Sequence, residues 1–149
     1  MTVGNLCNHN VATVGSDATV AEAARRMREA HVGDLVVTEQ RNGLTVPIGM
    51  ITDRDLVIEV LAAGVEPGAL AIRDLMSRDI VTVHEDNGLE FALSEMRRRG
   101  LRRVPVVDAK NALIGILSVD DVIDHLARLL GHVADAYRIE RHTEQKMRP

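Results

Sequence analysis

The chain has 149 residues, a formal net charge of -4 and a pI near 5.8, and its 46% hydrophobic and 27% charged residues are typical of a globular protein rather than a disordered one. The acidic balance and the near absence of aromatic residues (one Phe, one Tyr, no Trp) argue against a nucleic-acid partner, because general attraction to phosphate and stacking platforms are both lacking. The single cysteine, Cys7, excludes an internal disulfide and any zinc site built on several thiolates.

The first half of the chain alternates short β-rich runs with helical patterns. Apolar residues recur at helical spacing in two segments, and the two longer β-rich runs are separated by the turn-forming pair Asn42-Gly43. The prediction is an extended piece, a helix, two strands and a closing helix, in that order. In the same order, these five elements are expected at residues 11–14, 20–27, 35–38, 46–51 and 53–63.

The second half predicts the same elements in the same order. Gly100 follows three arginines, as is typical of a helix C-terminus where cations face the helix dipole. A turn is expected around Lys110-Asn111. The corresponding residues are 80–83, 89–96, 104–107, 113–117 and 119–130.

The two halves are copies of one another. Leu6 matches Leu75 and Thr13 matches Thr82, which is an offset of 69 residues. The match continues without a gap into the first of the two longer β-rich runs of each half. The first copy then has a loop three residues longer, so that residues 48–52 match residues 114–118. We therefore predict a duplicated unit, with repeat 1 at 3–65, a linker at 66–71, repeat 2 at 72–130 and a polar tail at 131–149.

The closing helices carry a wider apolar band than a helix with one face in water needs. One repeat alone is also below the size that usually sustains a core. We expect the copies to pack against each other and the remaining apolar surface to form a homodimer. An intramolecular core that consumes both helices is the alternative, and the tail either extends the last helix or stays mobile as a docking segment.

The repeated motifs resemble the CBS domain family, named after the regulatory domain of cystathionine β-synthase. The resemblance covers residues 3 to 130 and rests on the lead-in DLMSRDIVTV, the strand RRVPVVD, and the strand-to-helix segments GMITDRD and GILSVDD. It implies an α/β (α+β) fold of two β-α-β-β-α repeats related by a pseudo-two-fold axis. It also implies an adenosine-type ligand, such as AMP, ADP, ATP, NAD or S-adenosylmethionine, and a sensing role.

Thr52 with Asp55, and Ser118 with Asp121, stand where a strand meets a closing helix. A hydroxyl followed three residues later by an acid is a common helix cap that needs no ligand. A helix N-terminus also attracts phosphate, and a carboxylate one turn later can accept ribose hydroxyls. Glycines 49 and 115 weaken the preceding strands unless a ligand or a neighbouring backbone approaches closely.

The resemblance assigns Asp55 and Asp121 to ribose, and Thr52 and Ser118 to phosphate. It places the backbone at Thr13 and Thr82 along the adenine. Aliphatic walls would come from residues such as Val37 and Pro105, which core packing explains equally well.

Basic residues distinguish the two halves. Arg102 and Arg103 precede the second repeat's strand, where the first repeat has Gly33 and an acid, Asp34, that would repel phosphate. Together with Arg54 they are the candidate phosphate ligands, and a solvated surface cluster is the alternative. We hypothesise two unequal sites, of which the tighter combines Thr52 and Asp55 with an arginine from the other repeat.

No catalytic motif, catalytic cofactor or metal site is expected. The six histidines have no pair at helical metal-site spacing, and no nucleophile elbow or phosphate loop is present. We expect a cytoplasmic protein without a membrane anchor that passes its signal to a separate, unknown protein partner. The competing classes are a purely structural dimerisation unit and an enzyme with an unrecognised site.

Overall fold

A computed structural model describes residues 1–148, which form two three-stranded sheets flanked by helices. The first half contains α1 (Val3–Leu6), β1 (Thr13–Gly15), α2 (Val20–Ala30), β2 (Asp34–Arg41), β3 (Leu44–Thr52) and α3 (Asp53–Leu56). The second half contains β4 (Val83–His84), α4 (Leu89–Arg99), β5 (Arg103–Val107), β6 (Leu113–Ser118) and α5 (Val119–Met147). A π-helical turn, Val57–Leu61, continues α3, and 3-10 turns lie at Pro67–Ala69 and Ile72–Asp74.

The two sheets have the same topology. β1 runs parallel to β2, which is antiparallel to β3, and β4, β5 and β6 repeat this arrangement. Each central strand carries a register shift at the equivalent place, between Val37 and Thr38 and between Val106 and Val107. The duplicated α/β organisation predicted from the sequence is therefore confirmed.

Local sequence signals explain where the helices and turns begin and end. Thr19 and Glu22 form a capping box at the start of α2, and Gly100 adopts the left-handed conformation at the end of α4, as its position after three arginines predicted. Asn42 and Gly43 both have positive φ, which suits a tight hairpin turn between β2 and β3.

Each repeat packs into its core a short segment from the start of the other repeat, and we call these two segments the exchanged lead-ins. Val3 and Cys7, at the beginning of the chain, are buried in the core of the second repeat with Val83 and Val104. Ile72, the first residue of the second repeat, is buried in the core of the first. Each sheet therefore completes its core with a piece that precedes the other sheet in sequence.

The closing helices differ from each other in length. The helix expected over residues 53–63 is α-helical only in α3 and continues as the π-helical turn, whereas α5 continues through Met147. Residues 131–147, for which the sequence allowed either a helix or a mobile tail, are thus helical. Both closing helices leave large apolar side chains exposed: Val57, Ile58, Leu61, Ile123, Leu126, Leu129 and Leu130.

Candidate functional site

A cleft of about 350 Å³ lies where the two repeats meet. We call it the Ser118 cleft. Its lining comes from the chain before β1, the entry to β2, the start of β5, and the second half of β6 with the first turn of α5. They contribute Asn8, Asn10, Val11 and Ala12; His31, Val32, Gly33 and Asp34; and Arg103, Ile116, Ser118, Asp120 and Asp121.

The serine and the aspartate of the second motif form a capping box. The Asp121 Oδ2 atom accepts hydrogen bonds from the Ser118 amide at 2.9 Å and from the Ser118 hydroxyl at 2.5 Å, and the Asp121 amide donates to Ser118 Oγ at 3.0 Å. The α5 start is therefore stabilised without any ligand. These contacts use one carboxylate oxygen only, so Oδ1 takes no part in the cap.

The first motif is capped in the same way. The Asp55 Oδ2 atom accepts from the Thr52 amide at 2.9 Å, and the Asp55 amide donates to Thr52 Oγ1 at 3.2 Å. Further first-turn amides also have acceptors, since Asp53 donates to the Gly33 carbonyl at 2.8 Å. The free helix-terminal amides that make a phosphate seat are thus partly occupied by the protein itself.

An ion pair joins the two repeats at equivalent positions. The Arg103 Nη1 atom lies 2.5 Å from Asp34 Oδ2, and these residues match each other at the repeat offset of 69. Because equivalent residues that touch must straddle the relating axis, this pair lies at the pseudo-two-fold. The hydrogen bond to Asp34 raises the pKa of Arg103, against the opposing effect of burial.

Three of the predicted site residues, Arg103, Ser118 and Asp121, are brought together in the Ser118 cleft. Thr52 and Asp55 occupy the equivalent strand-to-helix junction of the first repeat. The remaining two arginines lie near these junctions: Arg54 is exposed in the first turn of α3, and Arg102 Nη2 is 3.6 Å from Asp120 Oδ1.

The other four predicted residues lie elsewhere. Thr13 begins β1, where its carbonyl accepts from Arg26 Nε at 3.0 Å, and it lines a groove between β1 and α2. Thr82 is exposed just before β4. Val37 and Pro105 are fully buried, so in this conformation they pack the interior, the alternative that the sequence left open, and present no surface to a ligand.

Asn8, Asn10 and Asp120 were not predicted as site residues, although they line the Ser118 cleft. Asn8 reaches it because its backbone forms a two-way bridge to Ile116, with both N–H···O distances at 2.9 Å. The exchanged lead-in thereby carries two amide side chains to the second repeat's motif. Asp120 did leave a signal in the sequence, because it directly precedes the recognised Asp121.

Cys7 packs beneath the same junction. Burial raises the pKa of its thiol, and the nearby Asp121 carboxylate adds to that shift. Among residues 1–148, no three His, Cys, Asp or Glu side chains are grouped so that they could hold a metal ion. Over the same residues, no helix combines the length and apolar character needed to cross a membrane.

Comparisons with known proteins establish the family. The model of the CBS domain matches residues 3–62 and 72–128, so the chain belongs to the CBS domain family and contains two copies of that domain. Hypoxic response protein 1 of Mycobacterium tuberculosis is 34% identical over 125 residues, covering 84% of this chain and 85% of that protein.

Other relatives extend the comparison. The uncharacterized protein MK0525 of Methanopyrus kandleri is 37% identical over 123 residues, which span 83% of this chain but only 61% of that protein. The crystal structure of Hypoxic Response Protein I with two coordinated zinc ions has a TM-score of 0.73 at 33% identity and covers 84% of this chain and 98% of that one. The CBS domain pair of protein MJ0100, in complex with 5-methylthioadenosine and S-adenosyl-L-methionine, has a TM-score of 0.70 at 24% identity and covers 89% and 97%.

Proposed function

We propose that this chain is a regulatory module that binds an adenosine-type ligand between its two repeats. It is a binding protein rather than an enzyme, and it acts as a homodimer that signals to a separate partner protein in the cytoplasm. The observation that carries the proposal is the Ser118 cleft, which Asn8 and Asn10 also line and in which one carboxylate oxygen of Asp121 remains outside the cap.

The volume and lining of the cleft suit a nucleoside. About 350 Å³ lies within the range of roughly 300–1,000 Å³ that small-molecule sites occupy. The Asp121 carboxylate supplies acceptors for ribose hydroxyls, and the asparagine amides supply both donors and acceptors for the edge of a base. The CBS domain pair of MJ0100, which has a similar fold, binds 5-methylthioadenosine and S-adenosyl-L-methionine, and this supports an adenosine-type ligand here. AMP, ADP, ATP and NAD are the other members of the proposed ligand class.

The equivalent junction around Thr52 and Asp55 is the second proposed site. Its motif contains Arg54 where the other motif has an acid, Asp120. A phosphate-bearing nucleotide would therefore gain charge-assisted contacts there that the Ser118 cleft lacks. This difference supports unequal sites, with the tighter phosphate site at Thr52 and Asp55.

We propose that the exposed apolar side chains of the closing helices are buried against a second copy of the chain. The chain exposes 9789 Å², whereas a compact monomer of 16.3 kDa exposes about 7,500 Å². Both closing helices present apolar side chains, and the repeats are related by a pseudo-two-fold. A second copy can therefore cover both faces in one closed arrangement.

The ligand proposal is tested by thermal denaturation with AMP, ATP, NADH and S-adenosylmethionine. A ligand that binds only the native state raises the midpoint by mass action, so we expect a rise with at least one of the four. No rise with any of them would favour the structural dimerisation unit, and turnover of ATP would favour an enzyme.

Calorimetric titration of Asp55→Ala and Asp121→Ala then assigns the sites. Each change removes a cap as well as a proposed ribose ligand, so affinity, not the midpoint, is the quantity compared. Asp124→Ala, one turn along α5 and outside the cleft, is the control. Equal losses of nucleotide affinity in the two variants would contradict unequal sites.

A further inference from the structure

The charges around the two junctions are reversed between the repeats. Asp34 and Arg103 are equivalent positions with opposite charge, and so are Arg54 and Asp120, which match at the offset of 66. Only the acidic member of the second pair, Asp120, lines the Ser118 cleft. The duplication has therefore given two junctions with the same backbone and different electrostatic fields.

The Ser118 cleft carries an excess of negative charge. Its lining contains Asp34, Asp120 and Asp121 against Arg103 alone, which amounts to a formal charge of -2 with His31 counted as neutral. Arg103 is already engaged, because its guanidinium contacts Asp34 at 2.5 Å. Adding the largely exposed Arg102, which approaches Asp120 at 3.6 Å, still leaves the region negative.

The usual compensation by a helix terminus is weak here. In the first turn of α5, the Val119 amide donates to the Arg102 carbonyl at 2.9 Å and the Asp121 amide donates to Ser118 Oγ at 3.0 Å. Two donors that a bound phosphate would need thus already have acceptors. A phosphate in this cleft would therefore face carboxylates while these two helix-terminal donors are already engaged.

We propose that the Ser118 cleft selects adenosyl compounds whose 5′ substituent is uncharged or cationic and discriminates against nucleotides with a 5′ phosphate, with Asp120 as the specificity-determining residue. This inference rests on the proposed adenosine-binding function and names the ligand class of one of its two sites. A sulfonium or ammonium group gains Coulomb energy from the net negative charge of the cleft, to which Asp120 and Asp121 contribute while Asp34 is paired with Arg103, whereas a phosphate dianion loses it.

Asp120 can be changed without removing the capping box, and the ion pair that is lost is the 3.6 Å contact with the largely exposed Arg102. Its side chain is 64% exposed and takes no part in the capping box, which belongs to Ser118 and Asp121. Asp120→Arg introduces the charge that Arg54 has at the equivalent position. Asp124→Arg is the matched control, because Asp124 is similarly exposed on the same helix but pairs with Arg128 outside the cleft.

The experiment is calorimetric titration of the full chain with S-adenosylmethionine, 5′-methylthioadenosine and AMP. For the site that Asp121→Ala weakens, wild-type protein should bind the first two ligands more tightly than AMP. Asp120→Arg should raise the affinity for AMP about tenfold and lower that for S-adenosylmethionine by a similar factor, because two charge units change near the ligand. Asp124→Arg should leave both affinities unchanged.

Three results would overturn the inference. The first is an Asp120→Arg variant with an unchanged ratio of the affinities for AMP and S-adenosylmethionine. The second is loss of all binding in Asp55→Ala while Asp121→Ala binds normally. Either result would contradict charge selection in the Ser118 cleft and leave adenosine binding intact. If the wild-type chain binds none of the three ligands, the proposed function fails together with it.

Discussion

Two strand glycines, Gly49 and Gly115, are required by a neighbouring backbone. A Cβ at Gly115 would lie 2.5 Å from Cys7 Sγ and 3.1 Å from the Asn8 carbonyl oxygen, and a Cβ at Gly49 would lie 2.7 Å from the Ser77 carbonyl oxygen. The sequence left two explanations for these glycines, a ligand or another piece of backbone. The contacts with the exchanged lead-in segments account for both positions.

Replacing Gly115 by alanine is expected to destabilise the fold. The methyl group must displace Cys7 and Asn8, and overpacking of this kind costs about 1–3 kcal/mol. The free energy of unfolding from urea denaturation measures the effect. Gly15→Ala is the control, since nothing lies within 4 Å of a Cβ there, and an equal loss in both variants would show that the lead-in contact is unimportant.

At the scale of elements, the exchange of lead-in segments makes each repeat depend on the other. Ile72 is fully buried among Val20, Leu35 and Ile51 of the first repeat although it is the first residue of the second. Val3 is fully buried in the second repeat. The linkage between the halves is therefore part of both hydrophobic cores and not a surface contact.

Ile72→Ala should weaken the first repeat before the second. Truncating a buried isoleucine typically costs about 2–5 kcal/mol, and the cavity would form beside β1–β3 and α2. Compared with the unmodified chain, amide hydrogen exchange in the variant should become faster in residues 13–61 and change less in residues 83–118. Val65→Ala, at an exposed position at the end of the first repeat, serves as the control. Loss of protection mainly in the second repeat would show that Ile72 does not belong to the first core.

Sequence patterns predicted the elements that depend on local signals. The repeat offset, the period of Val20 to Met27 and the Asn42-Gly43 turn were sufficient for the order of strands and helices in each repeat and for the capped junctions at Thr52 and Ser118. The exchange was not predictable, because α1 and the turn at Ile72 have similar apolar patterns that fit either core. Asn8 and Asn10 were missed as site residues for the same reason.

The whole molecule is asymmetric because α5 is much longer than α3. Along α5, apolar side chains recur at alternating spacings of three and four residues and remain exposed, and Leu130 and Tyr137 are 70% and 63% exposed. The stripe consists of Ile123, Leu126, Leu130, Val133 and Tyr137, and Leu129 and Ile139 are exposed on the same helix outside this spacing. This spacing keeps one stripe on one side of the helix, as helix-to-helix packing requires.

Leu126→Asp is expected to convert the proposed homodimer into monomers. A carboxylate in the apolar stripe would lose hydration on association without gaining a partner. Sedimentation velocity measures the change, and Arg128→Asp introduces the same side chain two positions away as the control. A wild-type chain that sediments as a monomer, or a dimer unaffected by Leu126→Asp, would rule out this surface as the interface.

The exchanged lead-ins also govern the order in which the protein can fold during synthesis. The first β-sheet is complete in sequence at Thr52, yet its core lacks Ile72 until that later stretch leaves the ribosome. Helix α1, at the beginning of the chain, can in turn be buried only after strands β4 to β6 of the second repeat have been synthesised. Neither half is therefore an autonomous folding unit, and translation arrested inside the linker would leave a nascent chain with an open hydrophobic interior.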